Sequence, residues 1–283
     1  MDEIIKAISG DGFVMVFAIS SRGITERART IHNSSPVVTA ALGRTLSAAS
    51  MIGSTLKKTG ASLTVRINGG GPAGSIIVVS DDVGNVRGFV ANPSANVPNL
   101  AAGKLNVGGV VGKNGMLSVV KDFGEGEPYK GSVELVSGEI AEDFTSYFVH
   151  SEQTPTVCAL GVLVGGDGVV ISSGGYILQV LPGAPEHIID AITKNVDDIG
   201  AVSSVLANND ATSLAMAVMT GFAPQIIEKS IVEYKCFCSR DRALSIVAGL
   251  DKSEIDDIKI KAVPVEVTCQ FCDAIYLISP DEI

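Results

Sequence analysis

Cys236-Phe237-Cys238 and Cys269-Gln270-Phe271-Cys272 place four of the five cysteines of this chain in two tight local pairs near its C-terminus. Two close-spaced cysteine pairs on separate segments are the usual way a chain supplies a closed four-thiolate zinc site. No histidine competes for a place in it, because His32, His150 and His187 all lie far upstream. The expected metal ligands are therefore Cys236, Cys238, Cys269 and Cys272, holding one zinc ion. The C-x-C spacing is the unusual part, since zinc ribbons and fingers generally use C-x2-C or longer at both ends.

Most of the 283 residues lie outside that site, and the length predicts more than one domain. Hydrophobic residues make up 46% and charged residues 18%, enough apolar material for a sizeable core. The start MDEIIKAISG has no basic region leading into an apolar stretch. Apolar runs such as GVLVGGDGVV are broken by Gly and Asp before reaching membrane-spanning length. A cytoplasmic protein without membrane association is expected, and clustered cysteines in that setting argue for metal or redox chemistry over a disulfide scaffold. A formal charge of -10 and a pI near 4.8 disfavour nucleic acid as a partner, because phosphate binding needs a basic footprint.

Three compositional zones follow one another. Up to about residue 180, short apolar or alternating runs (LTVRIN, SIIVVS, NVRGFV, MLSVV, SVELVS, GVLVGGDGVVISSGGYILQVL) predict strands of a mostly antiparallel sheet system. A helix from Pro36 to Lys58 and a short one from Ala141 to Val149 interrupt them. From Pro182 to Tyr234 the pattern turns helical. Ile188, Ile189, Ile192, Val196 and Ile199 form a stripe after Pro185-Glu186, and Ser213 to Thr220 reads as a helix closed by Gly221. The last zone carries the cysteines, a helix from Arg240 to Leu250, and another begun by Ser253 with Asp256 three residues on. The fold class expected is α+β, with a core domain at 1–181, a helical linker region at 182–234 and a zinc-binding domain at 235–283.

Weaker signals have plainer readings. Gly69 to Gly74 satisfies G-x-G-x-x-G but leads into the strand-like SIIVVS, where a dinucleotide site needs a helix N-terminus; a tight connection is expected. Gly108, Gly109 and Gly112 lack the Lys-Ser or Lys-Thr ending of a phosphate loop. Cys158, alone in TVCALGVLV, reads as a buried structural cysteine. Ser151 with His150 and Glu152 lacks a nucleophile-elbow context. No catalytic residue and no organic cofactor site are assigned, and the chain is not expected to be an enzyme.

An ordered series of motifs resembles the heat-shock protein 33 family of redox-regulated holdase chaperones over nearly the whole length. It runs through ALGRT (41–45), NGGGPAGSII (68–77), VRGFVANP (86–93), SVVKDFG (118–124) and VELVSGEIAEDF (133–144). It continues through SEQTP (151–155), GGYILQVLPGA (174–184), YKCFCSRDR (234–242) and VEVTCQFC (265–272). Two departures stand out: Lys259 to Pro264 replaces the acidic-glycine stretch expected before the second cysteine pair, and the tail after Cys272 is short. Neither touches a ligand.

The resemblance implies an α+β core, a helical linker folded over it and a small zinc domain. It implies an ATP-independent chaperone that is inactive while reduced and zinc-bound, and that binds unfolding client proteins once oxidised. It also implies the disulfides Cys236–Cys238 and Cys269–Cys272 in the oxidised form, with a reduced monomer and an oxidised homodimer. The spacing is compatible with local closure, because residues separated by one neighbour have Cα atoms at most about 7 Å apart. Structural zinc contributes about 10–16 kcal/mol of apparent binding free energy in small peptides, against a net stability of about 5–15 kcal/mol for a whole domain. A segment of roughly fifty residues that loses its metal is expected to unfold. Release of the linker stripe would then expose an apolar face to clients. Two other functions remain open on the residues alone: a static zinc-binding interaction module, and a thiol-disulfide oxidoreductase. Against the second, the C-x2-C does not open a helix after a strand in a βαβ context.

Overall fold

The computed structural model describes residues 1–283, the side chain of Ala102 excepted, and the chain divides into two units, Met1–Tyr234 and Lys235–Ile283. In chain order the first unit contains β1 (Glu3–Ile8), β2 (Val14–Ser20), α1 (Arg22–His32), α2 (Pro36–Gly53), β3 (Ser62–Asn68), β4 (Ile76–Asp81) and β5 (Val86–Val90). There follow α3 (Val107–Val111), β6 (Met116–Asp122), β7 (Tyr129–Glu134), α4 (Ala141–His150), β8 (Thr156–Val164) and β9 (Val170–Val180). It closes with α5 (Glu186–Ile199), α6 (Val202–Leu206), α7 (Ala211–Val218) and β10 (Gln225–Ile231). The strands form two five-stranded antiparallel sheets, ordered β10-β1-β2-β9-β8 and β5-β4-β3-β6-β7. The α+β expectation holds.

The centre is α2, which touches β2, β8 and β9 of one sheet and β3, β4 and β5 of the other. Its sequence PVVTAALGRTLSAASMIG is apolar or small apart from Arg44, which pairs with Glu139 at 2.7 Å, and all its other residues after Pro36 are buried. Ser35 caps it by accepting from the Val38 N–H at 3.3 Å, and Pro36 occupies the first turn, where no N–H is needed. The helix stops at Gly53, short of the expected Lys58. A Cβ at Gly53 would fall 2.1 Å from Ser80 Oγ, so the last turn lies directly on β4.

Alternation along the first sheet divides its two faces. Phe17, Ile19, Ile177, Leu160 and Val162 join the core around α2. Val14, Val16, Ala18, Tyr176 and Leu178 point the other way, where Ile188, Ile192, Val202, Leu206, Leu214 and Val218 of α5, α6 and α7 cover them. Of the predicted stripe, Ile188 and Ile192 are buried, and Val196 and Ile199 pack at the margin of this second core. Ile189 is 52% exposed. It lies one residue, about 100° of helix, off the line through 188, 192 and 199. Asn195 Nδ2 fastens α5 to the end of α7 by donating to the carbonyls of Val218 and Thr220 at 3.0 and 2.8 Å.

Asp210 caps α7, its carboxylate accepting from the Ser213 N–H at 2.7 Å, and that hydrogen bond holds the Asp210 pKa below the ordinary carboxylate value. A lowered folded-state pKa means the contribution is present at neutral pH and is lost as pH falls through the lowered value. Asp210→Ala is therefore expected to cost about 1 kcal/mol near neutrality, with the difference from the parent shrinking in acid, checked by denaturant titration of the reduced protein at several pH values.

Several elements depart from expectation. β1, β2 and α1 were not anticipated at the N-terminus, and the segment read as a helical linker ends in a strand. QIIEKSI carries no alternating pattern, yet it pairs as an edge with β1, supported by Lys6–Glu228 and Lys229–Glu3 ion pairs at 2.9 and 2.7 Å. Beyond it, the Val86 N–H donates to the Glu233 carbonyl at 3.0 Å and the Tyr234 hydroxyl donates to the Gly88 carbonyl at 2.9 Å.

The glycine run 69–74 is the expected tight connection, joining β3 to β4. Its Gly71 and Ala73 N–H groups donate to the carbonyls of Val111 and Val110, and a Cβ at Gly69 would fall 2.1 Å from the Gly112 carbonyl oxygen. His150 is exposed, while Glu152 accepts from Lys121 at 2.6 Å and from the Tyr147 hydroxyl, a structural tie between α4 and β6. Among the described residues no helix is long and apolar enough to cross a membrane.

Candidate metal centre

The second unit has little apolar core of its own. Ala243, Val247 and Ile278 are its buried hydrophobic side chains, with Leu244, Ile258, Val265, Val267, Tyr276 and Ile283 partly buried around them. Its elements are α8 (Arg240–Ala248), α9 (Lys252–Lys261) and a hairpin of β11 (Val265–Thr268) and β12 (Ile275–Ile278). The expected cap of α9 at Ser253 is displaced: Asp251 precedes the helix, and Glu254 reaches back to accept from the Asp251 N–H at 3.2 Å. The capping pattern is the anticipated kind, two residues earlier.

Local chain geometry delivers each cysteine pair. Cys236 and Cys238 lie on the extended segment leading into α8. Ser239 caps that helix by accepting from the Arg242 N–H at 3.2 Å, and Arg242 Nη1 holds the Phe237 carbonyl at 2.9 Å. Cys269 and Cys272 belong to the turn joining β11 to β12. The N–H groups of Cys272 and Asp273 both donate to the Cys269 carbonyl, at 3.3 and 2.8 Å, and the Cys269 N–H donates to Ala274. Asp273 adopts a left-handed conformation, φ 57°, which an Asp side chain tolerates better than most. Arg240 braces the pairs from outside with two 2.8 Å contacts to Glu282 and one of 2.9 Å to the Leu277 carbonyl.

All four Sγ atoms lie within 4.8 Å of one another, with Cys236 to Cys269 at 3.7 Å and Cys238 to Cys272 at 3.3 Å. Four sulfurs about 2.3 Å from a tetrahedral zinc ion would be spaced by about 3.8 Å. The donor set therefore fits such an ion, and among the described residues it is the one group of three or more Cys, His, Asp or Glu side chains placed to hold a metal. All four are free thiols.

Their environments differ. Burial pushes the Cys238 thiol up, but hydrogen bonds from the Tyr276 hydroxyl at 3.1 Å and from the neighbouring thiols outweigh it and bring the pKa down to about 7. Cys236 and Cys272 are pushed up, first by burial. Tyr276 in turn is raised to about 12, chiefly by its hydrogen bond to Cys238. Cys238 is thus the thiol drawn toward ionisation, supported by a hydroxyl outside the cysteine set. Cys158 stands apart in β8 of the first unit, buried, with its thiol raised by desolvation.

The family model described as Hsp33 protein matches residues 2–279. The chain belongs to the Hsp33 family. Curated Hsp33-type relatives named 33 kDa chaperonin include those of Symbiobacterium thermophilum, 42% identical over all of this chain and 96% of that protein, and of Clostridioides difficile, 42% identical over all of this chain and 97% of that protein. The crystal structure of the 33 kDa chaperonin, an Hsp33 homologue, from Thermotoga maritima superposes with a TM-score of 0.91 at 32% identity, covering 99% of this chain and 95% of that one.

Reading the sequence missed Tyr276, Arg240 and Arg242 as supports of this Hsp33 site. A strand assignment for IYLI would have found Tyr276, since alternation puts it on the same face as the buried Ile278.

Proposed function

We propose that this chain is a redox-regulated, ATP-independent holdase chaperone, active on unfolding proteins under oxidative stress. The observation that carries the reading is the four-sulfur cluster in a unit with only three buried hydrophobic side chains. Family membership and the relatives named 33 kDa chaperonin support the chaperone part.

In the reduced state Cys236, Cys238, Cys269 and Cys272 would hold one zinc ion, which when bound links the α8 entry to the β11–β12 turn. Peroxide or hypochlorite then takes two electrons from each neighbouring pair. With peroxide, two thiols become one disulfide and the oxidant leaves as two waters, giving Cys236–Cys238 and Cys269–Cys272. Cysteines tied up in these disulfides no longer serve as ligands, and the small apolar core is too little to keep residues 235–283 folded.

Residues 182–234 are the second element of the proposal. Their Ile188, Ile192, Leu206, Leu214 and Val218 cover one apolar face of the first sheet. Detachment of that cover exposes both surfaces to non-native chains, which is a two-state element biased by the redox state of the sulfurs.

Zinc release, measured together with suppression of aggregation of a heat-unfolding client, tests the reading before oxidation, after peroxide with mild heat, and after dithiothreitol. Protection is expected only in the oxidised, zinc-free sample and should fade on reduction; equal protection by the reduced, zinc-loaded protein would rule out the switch. Tyr276→Phe removes the hydroxyl that donates to Cys238. It is expected to weaken zinc retention about 10-fold or more while leaving one zinc per chain, read by competition with a chromophoric chelator.

A further inference from the structure

The chain contains two Asn-Gly pairs, Asn68-Gly69 and Asn114-Gly115, and the pairing of β3 with β6 brings them to one end of the second sheet. Asn68 closes β3, and Asn114 lies in the turn between α3 and β6. The Asn114 N–H donates to the Gly69 carbonyl at 3.0 Å, and the Gly115 carbonyl accepts from the Leu135 N–H at 2.9 Å. Between those two bonds, the Asn114 carbonyl and the Gly115 N–H have no hydrogen-bond partner among the described residues, and the Asn114 side chain is exposed. That one peptide unit can therefore turn about its flanking Cα atoms without breaking a hydrogen bond, helped by the wide φ range of glycine. Asn68 is held differently. It pairs with Met116 in the β3–β6 ladder, its Oδ1 accepts from the Gly70 N–H at 3.1 Å, and Gly69 is buried against the Gly112 carbonyl.

We propose that Asn114 is a site of spontaneous deamidation, selected over Asn68 by this difference in backbone freedom. The Gly115 nitrogen attacks Asn114 Cγ. An N–Cγ bond forms, the Cγ–Nδ2 bond breaks, and Nδ2 leaves as ammonia with the proton given up by Gly115. Nothing is oxidised or reduced, and water is the co-reactant of the second step, which opens the five-membered succinimide. Opening at Cγ leaves an aspartate, and opening at the main-chain carbonyl leaves an isoaspartate whose backbone runs through Cβ and Cγ. Glycine leaves the attacking nitrogen unshielded, and the packing admits no other residue: a Cβ at Gly115 would fall 1.9 Å from the Asn68 carbonyl oxygen. The same close approach sets the consequence. An isoaspartate adds one main-chain carbon between the Asn114 N–H and Gly115, so the bonds to Gly69 and from Leu135 cannot both keep their lengths, and the turn after β3 parts from the start of β6. The inference stands apart from the chaperone reading, since it needs no oxidant, client or metal.

The test ages the reduced, zinc-loaded full chain near neutral pH and follows the one-unit mass gain at each asparagine by peptide mapping. Isoaspartate is identified by its acceptance of a methyl group from S-adenosylmethionine, with an isoaspartyl methyltransferase as the probe. Conversion at Asn114 is expected to run about tenfold or more ahead of Asn68, because Asn68 must first leave its ladder. In concentrated urea, where neither turn exists, the two pairs should convert at similar rates. Asn114→Gln, whose longer side chain closes the ring far more slowly, should keep its fold and zinc and lose the methyl acceptance of the aged protein. Conversion of Asn68 as fast as Asn114 in the folded chain, or the same preference for Asn114 in urea, overturns the proposal. So does an aged chain that accepts no methyl group at Asn114.

Discussion

Cys269→Ser is expected to strip the metal from the reduced protein and unfold residues 235–283 while the first unit stays folded. A four-thiolate structural zinc site contributes about 10–16 kcal/mol of apparent binding free energy, and loss of one sulfur removes a large part of it. Ala243, Val247 and Ile278 cannot replace that contribution. Fully burying a side chain of the Val or Ile kind is worth about 1.5–3 kcal/mol, and ordering each residue costs backbone entropy of about 1–2 kcal/mol. Metal content by native mass spectrometry and hydrogen exchange across residues 235–283 would show it together. Cys158→Ser is the matched control: it changes the core around α2 but leaves zinc stoichiometry at one per chain. Wild-type protection of residues 235–283 in Cys269→Ser would mean that the unit does not depend on its metal.

Ile192→Asp is expected to give client protection without oxidation. Ile192 is 2% exposed in the apolar layer between α5 and the first sheet. Removing such a side chain costs about 2–5 kcal/mol, and an unpaired carboxylate in its place adds a further desolvation penalty. That exceeds what one short helix can hold through Asn195 and the remaining stripe, so α5 should leave its face while Cys236, Cys238, Cys269 and Cys272 keep their zinc. Ile189→Asp, three residues earlier and 52% exposed, should change stability by no more than about 0.5 kcal/mol and leave the reduced protein inactive. Aggregation assays on both variants under reducing conditions, with hydrogen exchange reporting α5, separate the effects. If α5 is released in Ile192→Asp and clients still aggregate, uncovering that face is not what activates the protein.

Features set by local chemistry were legible in the chain. The sulfur cluster needed only cysteine spacing and the absence of nearby histidine, and α2 announced itself by a long apolar run after Ser35-Pro36. β3 through β9 were read from alternation bounded by glycine and polar turns. What stayed hidden depends on partners distant in sequence. QIIEKSI is a strand because β1 offers it an edge and because Lys6 and Glu3 meet Glu228 and Lys229. The RGITERARTIH of α1 has few apolar positions and buries only Ile24, Thr25 and Ala28 against neighbours supplied from elsewhere.

The sequence by itself determined the four-thiol donor set, because each cysteine pair carries its two sulfurs within a few covalent bonds of one another. It also determined that residues 186–199 are an amphipathic helix, since periodicity is a property of the local chain. Only the tertiary structure decided which side of that helix is covered, turning Ile192 inward and Ile189 outward. Only the structure placed the Tyr276 hydroxyl on Cys238 and tied the outer edge of β8 to α4 through the Cys158 N–H and Thr145 Oγ1. Each of these depends on packing between segments far apart along the chain, and hydrophobic burial, being non-directional, does not specify such neighbours until the whole unit has closed.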